Sequence, residues 1–254
     1  MVGRPSDAAA PEPPRYDRRL SAGVPSDARI PLGKPQEREL HVWTLALDVE
    51  QSGREQRAAA GVGLRVLLGS YLDVDPHEVE IRHGAHGRPE LAPVHDLCFN
   101  LSHTAGIAVY AIGRGRAIGV DVEALDRRPP SAGLIERALN AREAARFARV
   151  GPGERTEAFL RYWTVKEAYA KALGLGLALD LRQVGVEGPA ARPRLDLPGG
   201  SGEWHVRRLR PRADVIGALV ADGGPWRMRL RELRMTGEEG PGFLAVGQLR
   251  HPLS

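Results

Sequence analysis

The sequence predicts an α+β protein built as two halves. Short, β-branched and apolar stretches of strand character recur along the chain, and apolar residues at helical spacing mark segments 57–72 and 156–173. These strands and helices fall into two similar groups on either side of about residue 116, which points to two α+β halves with antiparallel sheets. At 254 residues the chain is long enough to bury a substantial core.

Taken in order, residues 1–36 are rich in Pro, Ala, Arg and Ser without hydrophobic periodicity and read as a disordered leader. The first half spans 37–116. It opens with a strand at 41–47 and continues into a helix at 57–72, with Val62, Val66 and Leu67 near one face. Asp75-Pro76 marks a turn, 79–81 a short strand and 84–89 a loop, before strands at 97–100 and 107–112.

The second half, 117–235, begins with a strand at 118–123 and breaks at Pro129-Pro130. A helical stretch at 131–150, interrupted around Asn140, precedes the helix at 156–173, which the Gly174 turn ends. Short strands follow at 184–186, 204–209, 215–220 and 226–231, and residues 236–254 read as a loosely held extension.

Forty-two per cent hydrophobic residues, no apolar run of membrane-spanning length and no secretory pattern fit a cytoplasmic protein with no membrane partner. The single cysteine, Cys98, excludes an internal disulfide framework. A net charge of +4 favours an anionic partner, namely nucleic acid, a phosphate-rich cofactor or an acidic protein surface. Only 5% of residues are aromatic and no nucleic-acid motif is recognisable, so nucleic acid is not expected. Of the 36 basic residues only Lys34, Lys166 and Lys171 are lysine. Two of them share one segment, where a compact ammonium can be a chemical requirement that guanidinium does not meet.

Three segments carry candidate chemistry. In Ile118-Gly119-Val120-Asp121-Val122-Glu123, strand alternation puts Asp121 and Glu123 on one face and the valines on the other. Taken alone, the pair reads as two solvated acids on an exposed edge. In Tyr162-Trp163-Thr164-Val165-Lys166-Glu167-Ala168-Tyr169-Ala170-Lys171, Glu167 and Lys171 stand at i,i+4 with Trp163 one turn earlier. They could be a helix-stabilising pair worth ~0.2–0.5 kcal/mol. Alternatively Glu167 joins Asp121 and Glu123 as a third oxygen ligand for a hard cation, with Lys166 and Lys171 neutralising phosphates. In Asn100-Leu101-Ser102-His103, a hydroxyl and an imidazole just beyond a strand could donate to a phosphate. His83, His86, His95 and Cys98 have a spacing that superficially suits zinc.

Together these segments resemble the 4′-phosphopantetheinyl transferases of the surfactin-synthetase-activating type. The shared motifs are Gly87-Arg88-Pro89, Asn100-Leu101-Ser102-His103, the 118–123 strand and Trp163-x-x-Lys166-Glu167-x-x-x-Lys171, and the resemblance runs from about 41 to 233. It implies two pseudo-symmetric α+β halves with coenzyme A in the cleft between them and the monomer as the active unit. It implies Mg²⁺ on Asp121, Glu123 and Glu167, with Lys171 at the coenzyme A pyrophosphate and Lys166 as its helper. Ser102 and His103 then meet the adenosine phosphates, Arg88 the adenine and Arg57 the 3′-phosphate. The implied reaction moves phosphopantetheine to a serine of an acidic apo carrier protein. Glu167, or a water held by the cation, is the implied base. Only 48–56 separates the first strand from the first long helix, which leaves Arg54 and Arg57 to hold the 3′-phosphate. The alternative is a non-catalytic relative that binds coenzyme A or carrier protein.

Overall fold

The computed structural model describes residues 30, 32–84, 86–92, 95–189, 192–200, 202–236 and 242–248. The leader expected over 1–36 lies outside these residues up to position 29. Beyond it, Ile30 is buried in the first core and donates its N–H to Ser70 Oγ at 3.1 Å, so the end of that segment packs.

The first half runs β1 (Glu39–Ala46), α1 (Gly53–Leu72), the small hairpin β2 (Ile81–His83) and β3 (Pro89–Leu91), then β4 (Leu97–Thr104) and β5 (Ile107–Arg114). Helix α1 begins earlier than its apolar spacing indicates, because Ser52 and Glu55 form a reciprocal capping box. It ends where Asp73 turns left-handed at φ 59°. β1 and β5 alternate strictly. Trp43, Leu45, Ala108, Tyr110 and Ile112 face α1, while Leu40, Val42, Ile107, Val109 and Ala111 face the second half.

The second half contributes β6 (Ile118–Ala124), α2 (Ala132–Ala138), α3 (Ala141–Phe147), α4 (Arg155–Leu173), the hairpin β7 (Gly185–Glu187) and β8 (Arg194–Asp196), β9 (Trp204–Arg212), β10 (Val215–Asp222), β11 (Arg227–Thr236) and β12 (Gly242–Gln248). The expected interruption at Asn140 is real: its side chain caps α3 through a second capping box with Glu143. β6, β10 and β9 form a three-stranded antiparallel sheet. Val120, Val122, Val215 and Leu219 pack it against β1 and β5, and Val165, Ala168 and Tyr169 of α4 cover its other face with Ala218 and Val220. The layers are therefore helix, sheet, sheet, helix, an α+β architecture.

Two expectations need correcting. β11 returns to the first sheet, whose order is β12-β11-β1-β5-β4, and it pairs with β1 in parallel from Glu39↔Arg227 to Leu45↔Leu233. Its alternation explains the return: Leu230 and Leu233 are buried in the two cores that β1 separates. Part of the supposed loose extension is β12, paired antiparallel with β11.

Candidate active site

The site forms where α4 crosses β6. Gly119 makes that crossing possible, because a Cβ there would collide with the backbone carbonyl of Ala168 on α4. With the two backbones this close, Lys171 reaches across to Asp121. Its Nζ donates to Asp121 Oδ1 at 2.7 Å, Ser102 Oγ at 3.0 Å and Val120 O at 3.1 Å. The helical Glu167–Lys171 pair expected from the spacing gives way to this contact, because a buried carboxylate needs a cation more than a half-exposed one does. Asp121 is buried, and its second oxygen, Oδ2, has no hydrogen-bond partner among the described residues.

Glu123 follows Asp121 on the same face of β6. It accepts a hydrogen bond from Trp163 Nε1 at 3.1 Å and pairs with Arg127 Nη1 at 2.5 Å. Burial raises its pKa, and the Asp121 charge raises it further. Glu167 lies half-buried on α4, where burial and then the Asp121 charge push its carboxyl up to about 7. With Trp163 it lines a cavity of about 500 Å³, walled also by Leu134 and Arg137 of α2 and by Leu179 and Leu181.

Near the carboxylates stand His103, Arg57 and Lys171. His103 on β4 is half-buried, and its pKa is lowered by burial and then by the charges of Arg57 and Lys171. Arg57 lies in the first turns of α1 and is exposed. Arg57 of α1, the His103 imidazole of β4 and Lys171 of α4 thus share one neighbourhood with the acids of β6 and α4.

Ser102 and His103 lie within β4 and not beyond its end. The reason is a side-chain ladder. Asn100 Oδ1, Ser102 Oγ and Thr104 Oγ1 accept the backbone N–H groups of Val120, Val122 and Ala124 at 2.8, 3.2 and 3.2 Å. Polar residues at every second position of β4 therefore satisfy the free edge of β6 in place of a neighbouring strand. Ser102 also donates its only hydroxyl proton to Asp121 Oδ1 at 3.1 Å. As placed, it orients Asp121 and has no proton left for a phosphate.

Arg88 is likewise engaged. Its guanidinium donates to Ala172 O at 2.7 Å and Ile118 O at 3.3 Å, tying the loop before β3 to the end of α4 and the start of β6. Lys166 is the clearest correction. Its side chain is fully buried and donates to Glu143 Oε2 at 2.5 Å, Ala138 O at 2.6 Å and Leu181 O at 3.0 Å. It points away from Lys171 and does not reach the cleft. Sequence reasoning missed Glu143, Arg127 and the ladder. The capping box of Asn140 and Glu143 and the period-two polarity of Asn100, Ser102 and Thr104 were the available signals.

Among the described residues no three His, Cys, Asp or Glu side chains stand together in metal-holding proximity, neither the three acids nor His83, His86, His95 and Cys98. The acids nevertheless suit a hard cation. Asp121 carries an orphaned buried oxygen, and Mg²⁺ needs only one or two carboxylates besides water and substrate phosphates.

Buried acids beside Lys171 and Arg57 suit an anionic substrate bound together with a hard cation. Residues 117–220 match the model of the 4′-phosphopantetheinyl transferase superfamily. The 4′-phosphopantetheinyl transferase HetI of Nostoc sp. is 31% identical over 212 residues, covering 78% of this chain and 88% of that protein. A phosphopantetheinyl transferase of Thraustochytrium sp. is 28% identical over 252 residues, covering 87% and 86%. Holo-[acyl-carrier-protein] synthase of Neisseria meningitidis aligns with a TM-score of 0.36 at 22% identity, over 42% of this chain and 98% of that one. The chain belongs to the 4′-phosphopantetheinyl transferase superfamily.

Proposed function

We propose that this protein is a Mg²⁺-dependent 4′-phosphopantetheinyl transferase of the surfactin-synthetase-activating type. It transfers the phosphopantetheine arm of coenzyme A to a serine of an apo carrier protein and releases 3′,5′-adenosine bisphosphate. The observation that carries this reading is that Asp121, Glu123 and Glu167 share one neighbourhood with the cations Lys171 and Arg57 and the imidazole of His103.

Arg57, Lys171 and the His103 imidazole bind and orient the nucleotide end: Arg57 and His103 hold the adenosine phosphates, and Lys171 the pyrophosphate. Asp121, through its orphaned Oδ2, together with Glu123 or Glu167 would hold Mg²⁺, which when bound would neutralise pyrophosphate charge and stabilise the leaving phosphate. The serine oxygen forms its bond to the β-phosphorus as the bond to the bridging pyrophosphate oxygen breaks. Glu167, which lines the cavity, takes the serine proton. Catalysis is chiefly positioning and electrostatics.

Residues of the site come from both halves of one chain: Arg57, Ser102 and His103 from α1 and β4, the acids and Lys171 from β6 and α4. That supports the monomer as the working unit. The net charge of +4, with Arg142, Arg146 and Arg149 exposed on and just after α3, supports an acidic carrier as partner. No helix among the described residues is long and apolar enough to cross a membrane.

The test is the intact mass of a panel of apo carrier proteins after incubation with coenzyme A and Mg²⁺. A gain of one phosphopantetheine that disappears with Glu167→Gln or with chelator is expected. Coenzyme A binding without any gain on any carrier would leave a non-catalytic binder and refute the reading.

A further inference from the structure

Lys166 and Glu143 form an ion pair with 0% and 2% of their side chains exposed, beside a cavity that neither lines. Taking two charges out of water costs several kcal/mol per ion, and apolar residues would fill the same space without that cost. The pair therefore needs a structural reason, and its partners supply one. Lys166 donates to Ala138 O at the end of α2 and to Leu181 O in the turn that follows α4. Both segments line the 500 Å³ cavity, to which α2 brings Leu134 and Arg137 and the stretch after α4 brings Leu179 and Leu181. Helix α4 lines it too, through Trp163 and through Glu167, the residue after Lys166. Glu143 extends the tie: its Oε2 accepts from Asn140 N at 2.9 Å and its Oε1 from Val186 N at 2.8 Å. One ammonium and one carboxylate thus join α2, α3, α4, the 181–183 turn and β7. A hydrophobic side chain could fill that volume but could not hold carbonyls from two separate segments at hydrogen-bonding distance.

We infer that Lys166 and Glu143 are a positioning pair that sets the width of the substrate cavity in front of Glu167 and makes no contact with coenzyme A. This rests on the transferase reading above. It predicts a split between binding and turnover. The nucleotide end of the substrate meets Arg57, His103 and Lys171, which the pair does not touch. The reacting end lies by the cavity, where a wall displaced by about 1 Å costs on the order of 10²-fold in rate.

The experiment compares Lys166→Met, Glu143→Gln and Lys171→Ala, each checked for cooperative unfolding and assayed well below its melting temperature. Calorimetry with 3′,5′-adenosine bisphosphate reads the nucleotide end, and single-turnover transfer from coenzyme A to carrier protein reads the rate. Lys166→Met is expected to keep the nucleotide Kd within about twofold while transfer slows by about 10²-fold, and Glu143→Gln to show the same split at about tenfold. A Kd weakened in Lys166→Met as far as in Lys171→Ala, or a folded Lys166→Met that transfers at the wild-type rate, would overturn the inference. Should Lys166→Met fail to fold, Glu143→Gln decides on the same two readouts. Hydrogen exchange at the Val186 amide provides an arm without activity: protection lost in Lys166→Met, with β1 and β5 unchanged, supports the pair, and unchanged protection refutes it. If wild-type protein transfers to no carrier, the transferase reading fails, and this arm still reads the pair.

Discussion

Lys166 and Lys171 sit on one helix, five residues apart, and end in opposite surroundings. At 3.6 residues per turn their side chains leave α4 about 140° apart. Lys166 enters a fully buried pocket of carbonyls and one carboxylate, whereas Lys171 stays 28% exposed at the crossing with β6 and holds Asp121. The same ammonium ties walls together in one place and faces the cleft in the other. Helical geometry and burial separate the two roles, and residue type alone does not.

The comparison can be broken in several ways. Asp121→Ala removes the buried carboxylate that Lys171 holds, and transfer should fall by about 10³-fold with the fold retained, the scale of several kcal/mol of charge stabilisation. Lys166→Met should instead act on stability, because one partner of a buried pair is left unpaired. A loss of about 3–5 kcal/mol in chemical denaturation is expected, and a change under 1 kcal/mol would contradict the buried pair. Lys171→Ala should cost about 10²-fold in transfer and weaken 3′,5′-adenosine bisphosphate, and it should also lower the melting temperature, because the buried Asp121 carboxylate is left without its cation.

His41 sharpens the contrast from the other half of the molecule, since it is buried like Lys166 but kept neutral. Its Nδ1 lies 2.6 Å from Tyr71 Oη, which already accepts the Trp43 Nε1–H at 2.9 Å. The Tyr71 hydroxyl proton is not used by Trp43 and is placed to go to His41 Nδ1, an arrangement that suits the neutral ring. Burial and then the charge of Arg231 lower its pKa to about 4. Because the folded value lies below the unfolded one, this contribution is fully present above about pH 6.5. It is lost as pH falls towards 4, by up to about 3 kcal/mol. His41→Gln should flatten stability across that window, and an unchanged acid slope would contradict the assignment. The smallest effect is expected for Ser102→Ala, about 1 kcal/mol of stability from the lost ladder bond to Val122, together with reduced transfer as Asp121 loses its donor.

Much of the fold was legible because local rules agree with it. The break at Asn140, the span of α4 and the opposed faces of Asp121 and Val120 follow from capping and periodicity. The parallel return of β11 was not, since its partner lies almost two hundred residues earlier and only shared burial selects it. That Asp121, Glu123, Glu167, Lys171 and His103 share one neighbourhood was readable from their motifs. The roles of Lys166, Ser102 and Arg88 were not, because each side chain spends its polar atoms on carbonyls or carboxylates contributed by distant elements. Glu143 shows the same limit: in an arginine-rich helix it reads as a surface acid, yet it is buried.

The most direct test of the account measures release of 3′,5′-adenosine bisphosphate from coenzyme A as apo carrier protein is titrated in. Wild type and Asp121→Ala would be compared with Mg²⁺ present and after chelation. The account predicts one nucleotide released per carrier serine modified, only with the intact acid and the metal. Release by Asp121→Ala at the wild-type rate, or none by wild type with any carrier, would contradict it.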